Sequence, residues 1–119
     1  MGLGRLALAA LVALLVACGE PLPPAKASYV GQWYAEKEKM RLEISANGHV
    51  DYERRHEHGK TSIKAPIQEF LGDDFTVGVG PFRTRFVVSK PPRLDGGVWK
   101  MTVDGVELVR RSGPGEYNA

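Results

Sequence analysis

MTVDGVELV, residues 101–109, decides the fold. Apolar and polar residues alternate on both sides of Asp104-Gly105, the preferred two-residue loop of a β-hairpin. That loop sets Val103 opposite Val106, Met101 opposite Leu108 and Trp99 opposite Arg110, and all six side chains then share one face. A second turn signal lies in LEISANGHVDY, residues 42–52. A two-residue Asn47-Gly48 loop there would place Ile44 beside Asp51 on the same face. A three-residue loop, Ala46 to Gly48 with Gly48 left-handed, pairs Ile44 with Val50 and Leu42 with Tyr52 instead. The second register is expected, because a slip of one residue would turn a whole strand's apolar set toward water.

The two-residue period continues from Tyr29 onward with Gly, Asn and Asp at the turns, and no segment carries a convincing helical period. Candidate strands are Gly31–Ala35, Lys39–Ser45, His49–His56, Thr61–Ile67, Phe75–Val79, Thr84–Ser89, Val98–Val103 and Val106–Arg110. The stretch from Glu69 to Asp73 has no clear assignment. The pattern predicts an all-β fold, a small antiparallel meander of about eight short strands closed as a barrel or packed as a sandwich. Its inward set includes Trp33, Phe75, Val79, Phe86 and Trp99, with Ile63, Ala65 and Ile67 from the fourth strand. Short strands with such bulky residues predict a filled interior.

With 119 residues, 43% hydrophobic and 25% charged, the composition is that of one globular domain. Sixteen basic and fourteen acidic side chains leave a formal charge of +2. Such a balance exerts no global pull on nucleic acid.

The N-terminal residues read as targeting. Arg5 supplies a positive start, Leu6 to Val16 is an apolar run of eleven, and small residues follow. As a helix the run would be about 16 Å long, against a hydrocarbon core of about 30 Å, too short to span it. Residues 1–17 are therefore expected to be a cleaved signal peptide. Leu15-Val16-Ala17-Cys18 resembles the lipobox of bacterial lipoprotein precursors. That resemblance implies a thioether-linked diacylglycerol on Cys18, cleavage after Ala17, and a third acyl chain on the new amino group. Two or more chains give stable anchoring, since each buried CH₂ contributes about 0.8 kcal/mol and one chain binds only marginally. Cys18 is the one cysteine of the chain, which rules out an internal disulfide. Gly19 follows it where the resembling family often has an aspartate for inner-membrane retention, so the periplasmic face of an outer membrane is expected rather than the inner membrane. Residues 19–28, GEPLPPAKAS, read with Cys18 as a semi-extended Pro-rich tether, reaching up to about 30 Å at 3.1 Å per residue. The β domain is expected over 29–111 and a flexible tail over 112–119.

Gly31-Gln32-Trp33 at the start of the first strand, with Arg110 in the last, is similar to the lipocalin and calycin pattern. The resemblance implies an eight-stranded up-and-down barrel closed at one end by the Trp33 and Arg110 pair. As a whole the chain looks like a small bacterial lipoprotein with a lipocalin-like β domain.

ERRHEHGK, residues 53–60, is the most distinctive surface stretch. As a solvated turn it places His58-Gly59 at the apex with Glu57 facing Lys60. His56 and His58, two apart, would project from one face of a strand, a usable spacing for two metal ligands. Two ligands make a weak site, and His49 belongs at the far end of its strand. Arg54, Arg55, His56, His58 and Lys60 instead read as a contact tip for an anionic surface or an envelope partner. Its local charge of +1 rises to +3 when both histidines are protonated.

No Gly-x-Ser-x-Gly occurs, the thiol is assigned to lipid, and the glycines of VGVGPF lead into a strand rather than a helix. No catalytic residue, cofactor or metal is expected. The sequence thus predicts a lipid-anchored, non-enzymatic envelope protein acting by contact. A lipocalin-like carrier of a small apolar ligand and a His-based metal binder are the alternatives.

Overall fold

The computed structural model describes residues 19–111. The expected signal peptide, the Cys18 lipidation site and the tail over 112–119 lie outside the described residues. A 3₁₀ segment, Pro24–Tyr29, precedes nine strands: β1 Gly31–Ala35, β2 Met40–Ile44, β3 His49–His56, β4 Gly59–Leu71, β5 Asp74–Val79, β6 Phe82–Phe86, β7 Val88–Asp95, β8 Val98–Val103 and β9 Val106–Arg111. They form one antiparallel sheet in the order β6-β5-β4-β3-β2-β1-β9-β8-β7, curled into a half-barrel. The all-β class read from the alternation is the class the chain adopts.

Both hairpins have the expected register. Val103 pairs with Val106 and Met101 with Leu108, across a turn in which Asp104 and Gly105 both have positive φ, 50° and 78°, as a type I′ loop requires. Ile44 pairs with Val50 and Leu42 with Tyr52, with Gly48 at φ 79°. The inward positions fill the interior: Trp33, Leu42, Val50, Phe75, Met101, Val103 and Leu108 are fully buried. Phe75 stacks on Phe86 with ring centroids 5.2 Å apart, and Tyr52 meets Phe86 edge-on at 5.1 Å.

Parts of the β4 to β7 region differ from the sequence reading. The expected strand Thr84–Ser89 is divided at Val87, and its second half runs on as β7 through Pro91-Pro92. Proline is tolerated there because β7 is an edge strand, with register breaks between Val88 and Lys90 and between Lys90 and Arg93. The stretch without assignment completes β4 and turns at Gly72-Asp73. Val79, expected inside, is 66% exposed, because it shares the parity of Phe75 and Val77 but lies at the end of β5, past the packed interior.

The two edges of the sheet are consecutive in the chain and joined by Val87 alone. Two aspartates fix that corner. The Val87 N–H donates to Asp104 Oδ1 at 2.9 Å, and the Asp104 N–H donates to the Val87 carbonyl at 2.7 Å. Asp74 Oδ1 accepts the Val88 N–H at 2.7 Å, while its Oδ2 accepts Nε and Nη2 of Arg85 at 3.1 and 2.7 Å. The hydrogen bonds from Arg85 and then from Val88 hold the Asp74 carboxyl below the usual carboxylate range. A carboxylate with a depressed pKa adds stability above its unfolded value, about 3.9, and that stability is lost as the pH falls through the folded value. In Asp74→Asn the drop in urea midpoint between pH 7 and pH 3 is therefore expected to be smaller than in the parent chain. An unchanged drop would show that Asp74 does not contribute to the acid limb.

Candidate functional site

Three features position the molecule's surfaces: the N-terminal segment, the Trp33 end of the sheet, and the β3–β4 tip. The first departs most from the sequence reading, since residues 19–28 lie along the domain instead of extending from it. The Leu22 N–H donates to the Ala46 carbonyl at 3.3 Å, and the Leu22 side chain packs against the core. Glu20 passes directly over Gly48, where an added Cβ would collide with the Glu20 carbonyl oxygen. Glycine there thus serves both the left-handed turn and the close approach. Pro24 opens the 3₁₀ segment, a position that suits its fixed φ and missing N–H. Lys26 Nζ then donates to the Gly72 carbonyl at 2.8 Å and lies 3.6 Å from Asp73. Tyr29 is buried and its hydroxyl donates to the Asp73 carbonyl at 2.8 Å. Burial, with the nearby charges of Asp73 and Asp74, pushes that phenol up to about 12.

At the Trp33 end, Trp33 and Arg110 are register partners across β1 and β9. The Arg110 guanidinium carbon lies 4.9 Å from the Trp99 ring centroid and 5.9 Å from that of Trp33, within cation–π range of both. Its Nη1 donates to the Val30 carbonyl at 3.5 Å. Gly31, at φ 150°, makes room for the arginine, because a Cβ there would lie 2.5 Å from Arg110 Cδ. The Trp33 indole N–H donates to the Tyr29 carbonyl at 3.0 Å, so the ring is hydrogen-bonded as well as packed. The group ties the first strand to the last.

The β3–β4 tip is arranged differently from the cluster read in the sequence. His56 pairs with Gly59 and Arg55 with Lys60, so the apex is Glu57-His58, one residue earlier than expected. Of His56 and His58 only His56 is on a strand, and its Nε2 lies 2.8 Å from Thr61 Oγ1. Lys60 faces Glu53 at 3.8 Å instead of Glu57, and Arg55 lies 3.8 Å from the same carboxylate. Strand alternation places Arg54 and His56 on one face and Arg55 and Lys60 on the other. The five residues share a tip, four of them divided between its faces and His58 in the turn. Among the described residues no group of three or more His, Cys, Asp or Glu side chains is placed to hold a metal ion.

The clefts among the described residues are open surface grooves. One, of about 560 Å³, is lined by residues such as Ile63, Ala65, Val79 and Phe82. Trp33, Phe86 and Trp99 line neither this groove nor those beside Tyr34, Gly19, Leu22 and His56. No helix among the described residues is long and apolar enough to cross a membrane. No family model, curated protein or solved structure matches this chain.

The sequence reading missed the Lys26 and Tyr29 contacts to the β4–β5 turn and the two aspartates at Val87. Pro24 ahead of the apolar strand was a signal for the first. The second had none, since Asp74 and Asp104 are thirty residues apart and meet the corner only in the folded sheet.

Proposed function

We propose that this chain is a lipid-anchored protein of the bacterial cell envelope that acts through contact rather than catalysis. The observation that carries the reading is Leu15-Val16-Ala17-Cys18 directly behind an apolar run of eleven residues. Anchoring by Cys18 makes the residue beside it the membrane-proximal point of the domain. Gly19 lies against the Asn47 carbonyl and Pro66, and Pro66 pairs with His49 at the start of β3. From Pro66 to Gly59 the hairpin runs seven residues, roughly 23 Å at about 3.3 Å per residue. The tip with Arg54, Arg55, His56, His58 and Lys60 is then presented away from the lipid, toward a partner in the envelope.

The test is a cross-linked pull-down of the intact acylated chain from its own envelope, with mass spectrometry of proteins and lipids. A protein partner is expected. Changing Arg54, Arg55, His56 and His58 together to alanine is expected to lower its recovery several-fold while leaving the anchored fraction unchanged. Equal recovery would remove the tip from the contact. A stoichiometric small apolar molecule in place of a protein would favour the carrier reading.

A further inference from the structure

The most exposed large apolar side chains of the domain are neighbours. Phe82 is 81% and Val79 66% exposed, and the two are register partners that close the β5–β6 hairpin. Between them are only Gly80 and Pro81, and Gln68 Nε2 fixes the turn by donating to the Gly80 carbonyl at 3.1 Å. Side chains that face each other in register project to the same side. Val79 and Phe82 thus form one apolar wedge on a held turn.

The position of this wedge suggests its partner. Gly19 and Glu20 line a groove of about 500 Å³ together with Pro66, Gln68, Val79, Gly80 and Arg83. The hairpin tip therefore lies across one groove from the residue that follows Cys18. Because Leu22 is hydrogen-bonded to Ala46 and Glu20 passes over Gly48, little free chain separates Cys18 from this surface. Consecutive Cα atoms are about 3.8 Å apart, so acyl chains entering a bilayer from Cys18 would hold the groove at headgroup depth.

We infer that the Val79–Phe82 hairpin tip enters the lipid headgroup layer beside the anchor, as a second, non-covalent membrane contact that sets the orientation of the domain. The inference rests on the lipid-anchor reading above. An aromatic ring and an aliphatic side chain at an interface suit the boundary between headgroups and acyl chains. Arg83, next in β6, projects to the opposite face and is 3.5 Å from Glu69, so the wedge itself is apolar.

The test uses the acylated chain carrying Phe82→Cys or, separately, His58→Cys, each labelled with an environment-sensitive fluorophore. Lipid on the Cys18 sulfur leaves the introduced thiol as the one available for labelling. The proteins are reconstituted in phosphatidylethanolamine and phosphatidylglycerol vesicles bearing a headgroup-level nitroxide, after mass measurement of each N-terminal peptide. The label at 82 is expected to shift to the blue and be quenched, while the label at 58 stays water-like and unquenched. A label at 82 as water-like as that at 58, on a chain whose Cys18 carries lipid, would overturn the wedge and leave the anchor intact. A free Cys18 thiol would overturn both.

Discussion

Replacing Trp33 with alanine is expected to lower the unfolding free energy by about 3–5 kcal/mol, the usual cost of truncating a large buried aromatic side chain. Trp33 is fully buried, packs in the core and donates its indole N–H to the Tyr29 carbonyl. Its loss would leave a cavity, an unpaired Tyr29 carbonyl, and Arg110 without one of its two rings. Native domains have a total stability of about 5–15 kcal/mol, and a small one buries a lower fraction of its surface than a large one. The substitution therefore removes a large share of the total. Urea unfolding of the mature chain should show a marked fall in midpoint, with a melting temperature lower by more than about 12 °C. Trp33→Phe should lose less, since it keeps an aromatic ring in the site. A fall below about 1 kcal/mol in Trp33→Ala would show that the Trp33 end does not hold the sheet together.

The second large effect concerns location. Cys18→Ser keeps the apolar run and a small side chain at the processing site but removes the sulfur that would carry the glyceride. The variant is expected to lose incorporated fatty acid completely and to leave the envelope-bound fraction, or to accumulate as the uncleaved precursor. The size of the effect follows from the chemistry of anchoring. At about 0.8 kcal/mol per buried CH₂, two or three acyl chains outweigh any contribution from one exposed hairpin tip. Labelling cells with an alkyne fatty acid, followed by fractionation of parent and variant, measures both consequences. Equal labelling of the two chains would place the lipid elsewhere.

How much was legible in the sequence depended on whether a signal was local. Asp104-Gly105 gave its hairpin because a two-residue type I′ loop leaves one register open. Asn47-Gly48 gave its own only when the alternation of the flanking strands was used to choose between loops. β7 was illegible because Pro91-Pro92 argues against a strand that needs its N–H groups. An edge strand with breaks in its ladder does not need them all. Val79 was misplaced for a related reason: alternation reports which way a side chain points, and burial depends on whether anything is packed opposite. The docked N-terminal segment could not be read from a proline-rich tract, since the same composition extends in water and folds back when Lys26 finds Gly72 and Asp73. Of the candidate sites, Trp33 with Arg110 was legible from residue types and position. At the tip the residues were legible, and their division between two faces follows from strand alternation alone; the turn one position earlier than expected changes only which residues face each other across the hairpin.

The covalent state of Cys18 decides between the anchored molecule and a free one. Tandem mass spectrometry of the N-terminal peptide, from full-length protein produced in a bacterium that processes lipoproteins, reads it in one spectrum. The predicted result is a mature chain beginning at Cys18 with a diacylglyceryl thioether on its sulfur and an acylated amino group. A water-soluble chain that begins elsewhere, or that retains an unmodified thiol at position 18, would contradict it.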